Sequence, residues 1–208
     1  MLRTKIAVLV SGGGTNLQAL IDAQECGMLN SGEISLVVSS NDSAFALERA
    51  RKHRIPSVTV SKKSCGSQAD FEKAIQTALT EHGIELVVLA GFMSILSADF
   101  VSKWSQRIIN VHPSLIPSFC GEGFYGLKVH EAALKCGVKV TGATVHFVNE
   151  IPDGGKIILQ KSVPVYKTDT PEKLQRRVME RAEWIILPRA AELISQKILK
   201  EGENYHGL

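Results

Sequence analysis

Asn110 and His112 stand two residues apart at the end of the apolar run "RIIN" (107–110). Histidine titrates near neutral pH and can exchange protons with a reacting amine. An asparagine amide can donate to an oxyanion as it forms. Pro113 and Pro117 follow. Pro113 has no N–H, so strand pairing should end there and leave a restrained loop. A histidine in this place can equally be a structural hydrogen-bonder. Asp153, in "NEIPDGGK" (149–156), precedes two glycines. Asp-Gly-Gly is a good turn in its own right; it would also set a carboxylate at a turn apex, where it could orient or charge-match a histidine. His146 lies on an alternating segment and reads as a satisfied core or cleft-wall histidine.

A second kind of chemistry is suggested by "VSGGGTN", which ends at Asn16. Glycines allow a tight turn with exposed N–H groups, and a helix start directly behind them adds its positive dipole end. Gly14, Thr15 and Asn16 would supply donors to a single phosphate. The spacing is neither GxxxxGK[ST] nor GxGxxG, because no lysine follows and Leu17 occupies the last glycine position. A ligand-free βα turn is the plain alternative. "AGFMSILS" (90–97) carries Phe92, Met93, Ile95 and Leu96, either as local core or as the wall of an apolar pocket for a flat heterocycle. Glu183, inside the last helical stretch, reads by default as a solvated charge.

These residues need a scaffold, and the chain writes one plainly. Apolar runs at 5–10, 34–40, 85–90 and 107–110 read as buried strands, and "PSVTV" (56–60) as a further, short one. Amphipathic stretches at 15–27, 43–53 and 67–83 separate the first four of these in chain order, with Ser67 as a cap and Gly83 as a stop for the clearest of them. Such alternation predicts an α/β fold with an open, mostly parallel, Rossmann-like sheet covered by helices on both faces. After residue 110 the pattern changes. A long loop (111–125) and a helix near 126–136 lead to period-two runs at 139–149 and 156–165, expected as an antiparallel pair near the C-terminal side. Residues 170–199 close the chain as helix, with Thr170 as cap, Pro171 in the first turn, and Pro188 expected to kink or split it. No repeat or linker divides the chain, so one domain over 1–208 is expected.

Bulk properties exclude several classes. The chain has 208 residues, 44% hydrophobic and 22% charged, which is ordinary globular composition. Its net charge, 24 − 21 = +3, is too weak and scattered for a nucleic-acid surface. Cys26, Cys65, Cys120 and Cys136 form no CxxC pair, so neither a metal site nor a disulfide scaffold is expected. The apolar run Ile6–Val10 is too short for a signal segment, and no stretch is long enough to span a membrane, so a cytoplasmic protein is expected.

Taken in order, "VLVSGGGTNLQALID", "ELVVLAGFM", "NVHPSLIPSF", "VTGATVHFV", "DGG" and "RAEWIILP" resemble the formyltransferase family over almost the whole chain. The resemblance implies transfer of the formyl group of 10-formyltetrahydrofolate to the amine of 5'-phosphoribosylglycinamide, giving formylglycinamide ribonucleotide in de novo purine biosynthesis. No metal is implied, and the partners are small molecules, with neither nucleic acid nor membrane; a monomer or a homodimer is expected. The family's catalytic trio maps onto Asn110, His112 and Asp153. Its phosphate and ribonucleotide site maps onto Gly14, Thr15, Asn16 and Glu183. Its folate pocket maps onto Phe92, Met93, Ile95, Leu96, Asn110, Val148, Asn149 and Glu150. Ile116–Pro117 matches a cis-proline turn of the family. The nucleotide-phosphate half would cover about 1–105 and the folate and catalytic half about 85–208. Ser94 stands where many relatives have arginine, and 120–130 is a variant segment. Two other readings stay open: a formyltetrahydrofolate deformylase, which hydrolyses the formyl group, and a non-catalytic phosphate- or nucleotide-binding module.

Overall fold

A computed structural model describes residues 2–205. Seven strands form one sheet in the order β3-β2-β1-β4-β5-β6-β7. They are β1 (Thr4–Val10), β2 (Gly32–Ser39), β3 (Ser57–Thr59), β4 (Leu86–Leu89), β5 (Ile108–His112), β6 (Val140–Phe147) and β7 (Ile157–Pro164). The first five pair in parallel, and β6 runs antiparallel to both β5 and β7. The expected architecture is therefore present, antiparallel pair included.

Alternation along each strand makes two cores. Ile6, Val8, Val10, Ile109 and Val111 face helices α1 (Thr15–Glu25), α2 (Phe45–Lys52), α6 (Leu127–Cys136), α7 (Pro171–Val178) and α8 (Trp184–Tyr205). Ala7, Leu9, Val87, Leu89 and Ile108 face α4 (Gln68–Glu81) and α5 (Ala98–Lys103). Ser67 caps α4 as expected, its Oγ accepting from the Asp70 N–H at 3.0 Å, and Thr170 caps α7. Two short helices escape the sequence pattern: α3 (Lys62–Cys65) and α5. Each is a turn or two long, too short for an apolar period to show.

Pro188 does not split the last helix. It lies inside α8, and the irregularity falls one turn earlier, where Met179–Glu183 form a π-turn between α7 and α8. The N–H that Pro188 lacks would have bonded the Trp184 carbonyl. That missing bond falls at the junction where the ladder already changes spacing.

β2 and β4 flank β1 on opposite sides, so the chain reverses its direction of growth between β1 and β4. The crevice at the carboxyl ends of such strands is the usual ligand site of an open α/β sheet. The Ser11–Asn16 loop leaves β1 there and the 90–97 loop leaves β4. Ser11 Oγ joins them, accepting from the Met93 N–H at 2.9 Å.

Candidate active site

β5 extends two residues further than the apolar run and includes Val111 and His112. Alternation puts Asn110 and His112 on the face shared with Ile108. The antiparallel partner fixes what they meet: Asn110 pairs with His146 and His112 with Thr144. Cross-strand neighbours have Cβ atoms about 4.5–5.5 Å apart, so two polar pairs stand side by side on one face.

Asp153 comes to them from the β6–β7 turn. Its backbone is left-handed, with φ +56°, a conformation that aspartate tolerates better than most residues. Oδ2 lies 3.3 Å from His112 Nδ1 and accepts from the Gly121 N–H at 2.9 Å. Oδ1 lies 3.5 Å from His146 Nε2. Burial raises this carboxyl; a proton on His146 Nε2 would lower it, and His112 and the Gly121 N–H oppose the rise, so that it lies below the ordinary carboxylate value when His146 donates.

His112 is only 5% exposed. Burial lowers its pKa, and Asp153 and the Phe119 carbonyl oppose the shift without cancelling it. Its Nε2–H donates to the Phe119 carbonyl at 2.8 Å, so in the neutral ring Nδ1 carries the lone pair and faces Asp153. A proton taken up at Nδ1 would create an ion pair at once. The ring is thus neutral at rest, with a counter-charge waiting for the proton it accepts. His130 beside it is buried and held neutral, first by burial and then by the field of His112, with a pKa of about 4.

The loop behind His112 is tied down. Thr144 Oγ1 donates to the Ser114 carbonyl at 2.7 Å and accepts from the Ile116 N–H at 3.1 Å. Gln160 Nε2 donates to both the Ile116 carbonyl and Thr144 Oγ1 at 3.0 Å. Ile116–Pro117 is cis, and Phe119 has φ +51° where its carbonyl meets His112.

At the first junction, Gly14 is left-handed, with φ +68°, and α1 starts at Thr15. The first N–H groups of a helix have no intrahelical partner, so Thr15 and Asn16 present backbone donors. The Asn16 side chain is occupied: its Nδ2 donates to Glu183 Oε2 at 2.6 Å. Glu183 is not the solvated charge its helical position suggests. It is 6% exposed, and burial raises its pKa against the opposing Asn16 bond. The π-turn carries it inward.

The residues mapped to a folate pocket divide. Leu96 is core, with Phe92 and Val148 packed against the same cluster, while Met93 and Ile95 are exposed at 57% and 67%. Val148, Asn149 and Glu150 line a hollow of about 410 Å³ with Ala98 and Val101. Phe92, Met93, Ile95 and Leu96 do not line it. A larger hollow of about 720 Å³ lies between α4 and α5 and holds none of the mapped residues. Among the described residues, no group of three or more His, Cys, Asp or Glu could hold a metal ion. No described helix is long and apolar enough to cross a membrane.

The sequence pattern gives no role to Thr144, the Gly121 N–H or the Phe119 carbonyl, and gives His146 only that of a core or cleft-wall histidine, which its 2% exposure matches. The alternation of "TVHF" already put Thr144 and His146 on one face, but their partners are set by a strand more than thirty residues away.

The arrangement offers an amide donor, a buried neutral imidazole with a waiting carboxylate, and a helix N-terminus with free backbone N–H groups along the carboxyl ends of the strands. Together these suit attack by an amine on a carbonyl carbon. The chain is 44% identical over 202 residues to the human trifunctional purine biosynthetic protein adenosine-3, covering 97% of this chain and 19% of that protein. It therefore spans about a fifth of the trifunctional relative. It is 37% identical to the phosphoribosylglycinamide formyltransferase of Haemophilus influenzae, covering 96% of this chain and 91% of that one. The glycinamide ribonucleotide transformylase 1 structure from Symbiobacterium toebii superposes with a TM-score of 0.87 at 39% identity, covering 94% of this chain and 89% of that one. The formyl transferase profile matches residues 4–191, and on this match and these identities the chain belongs to the formyl transferase family.

Proposed function

We propose that the protein transfers the formyl group of 10-formyltetrahydrofolate to the amine of 5'-phosphoribosylglycinamide, in the cytoplasm, as a step of purine biosynthesis. The observation that carries this reading is the meeting of Asp153 with His112 Nδ1 at 3.3 Å, on the face that bears Asn110. The amine lone pair attacks the formyl carbon, and the formyl oxygen takes up negative charge. An Asn110 N–H donates to that oxygen, a contribution of about 3 kcal/mol in comparable sites. The amine proton passes to His112 Nδ1, where Asp153 balances the imidazolium. The proton then returns to N10 of the folate as the carbon–nitrogen bond to it breaks. Gly14, Thr15 and Asn16 hold the phosphate, and Glu183 faces the ribose. The folate ring lies between the 90–97 loop and Val148–Glu150. The phosphate half, about 1–105, and the folate half, about 85–208, share β4 and the 90–97 loop.

The test is a spectrophotometric folate assay with purified protein, with and without the ribonucleotide and with no metal added. Formyl transfer that requires the ribonucleotide is the expected result. Folate release without it would identify a hydrolase, and no turnover by folded protein would sink the proposal.

A further inference from the structure

His146 has no role in the chemistry so far, yet it touches two of the three groups that do, Asn110 and Asp153. It is 2% exposed. Its Nδ1 lies 2.8 Å from the Phe147 carbonyl, its Nε2 lies 3.2 Å from Asn110 Nδ2, and the same Nε2 lies 3.5 Å from Asp153 Oδ1. A backbone carbonyl only accepts, so Nδ1 must carry a proton. In the neutral ring Nε2 is then the bare nitrogen, and it can only accept. Of its two neighbours, the Asn110 amide can donate and the Asp153 carboxylate cannot.

We infer that His146 is a positioning residue that sets the orientation of the Asn110 amide. Its bare Nε2 selects the NH₂ end of Asn110 and turns away the carbonyl end. An NH₂ group has two protons. One is held by His146, and the other is left for the oxyanion. Without this contact the amide can rotate by half a turn and offer its carbonyl oxygen to a forming negative charge, which would repel it. The Phe147 carbonyl thus acts on the reaction through two intermediaries. It fixes the His146 tautomer, and the tautomer fixes Asn110. Proximity to Asp153 adds a constraint. A proton on Nε2 would favour Asp153 and release Asn110, so the arrangement works only while Nε2 is bare. This rests on the oxyanion role given to Asn110 above, and the test separates the two.

The first measurement needs no activity. Nitrogen-15 NMR of the histidine rings in the unmodified protein at neutral pH should show His146 with its proton on Nδ1 and a bare Nε2. A proton on Nε2, alone or in an imidazolium, overturns the inference. The second is a mutant cycle. His146→Asn keeps a donor near Nδ1 and loses the acceptor at Nε2; His146→Gln restores an acceptor there. His146→Asn should lower kcat roughly 10- to 100-fold with little change in either KM, by analogy with the loss of residues that orient metal ligands. His146→Gln should recover most of that loss. In an Asn110→Ala background, His146→Asn should cost almost nothing more, because the group it orients is gone. Full additivity, or a wild-type kcat in His146→Asn, overturns the inference. Where His146→Asn does not fold, the NMR result and the cycle with His146→Gln decide. Absence of formyl transfer by the unmodified protein would instead strike the proposed function, leaving the tautomer result standing.

Discussion

At Asp153 the backbone and the side chain make separate demands. The left-handed φ of +56° suits Asp or Asn, so Asp153→Asn changes the charge and spares the turn. This variant should lose about 10²–10⁴ in kcat, the usual worth of a general acid–base unit, with ribonucleotide binding nearly intact by calorimetry. Equal loss of both would make the residue a structural turn. The same variant makes a pH prediction. His112 must be neutral to accept a proton, so the acid limb of kcat/KM follows its titration. Burial has already lowered that value below the ordinary 6.5, and Asp153 is what opposes the fall. In Asp153→Asn the acid limb should move to still lower pH. Glu183 gives the opposite case, an acid whose folded pKa is raised above the ordinary 4.5. Stability should therefore fall as pH rises from the ordinary value through the raised one, where the buried carboxyl must ionise. Glu183→Gln removes that loss and can still accept from Asn16. At about pH 8 it should melt above the parent, by roughly 2–4 °C for each kcal/mol recovered, while binding the ribonucleotide more weakly. A lower melting point at that pH would show that the charge stabilises the fold.

Elements set the tolerances of this chemistry. The loop after β5 is held less by its prolines than by Thr144, whose hydroxyl serves Ser114, Ile116 and Gln160 together. Thr144→Val keeps the shape and strands a carbonyl and an N–H in a buried place, at a cost of about 1–3 kcal/mol for each unpaired group. Denaturant melts should show the loss, and kcat should fall because Phe119 and Gly121, which hold His112 and Asp153, sit at the end of that loop. Unchanged stability would mean that the loop finds other partners. Gly155 marks the second critical element. A Cβ there would overlap the Phe147 carbonyl oxygen, the acceptor that fixes His146. Gly155→Ala should displace the turn that carries Asp153, with about 1–3 kcal/mol of overpacking strain, measurable by denaturant melt and by loss of turnover.

The whole molecule is a sheet with its strongest part in the middle and its chemistry off-centre. β1 lies between β2 and β4, and Ile6, Ala7, Val8, Leu9 and Val10 are all fully buried. The edges are weaker. β3 has only three residues, and β7 exposes most of its length. Hydrogen exchange should therefore be slowest in β1 and β4 and fastest in β3 and β7. β5 and β6, which hold Asn110, His112 and His146, should fall between. Exchange in β6 as fast as at the edges would mean that the site is not rigidly held by the sheet.

Much of this protein is legible in its sequence, because some of its forces are local. Short apolar runs between amphipathic helices read as buried strands, Ser67 caps whatever helix follows it, and a glycine turn before a helix presents N–H groups wherever it lies. Asn110 and His112 share a face because two residues apart on a strand always do. The resemblance grouped Asp153 with His112 and Glu183 with Asn16, and the structure brings each pair together, but the sequence could not say that His146 stands opposite Asn110 within reach of Asp153, or that Glu183 is buried. It also misplaced the irregularity of the last helix, since a proline signals its own missing N–H but not the π-turn beside it. These are facts of register and packing between segments thirty to more than a hundred residues apart, and no local pattern encodes them. Sequence determined which groups were present and which way each strand or turn would point them. The tertiary structure decided which groups meet, because that depends on how β6 and the π-turn pack against the sheet.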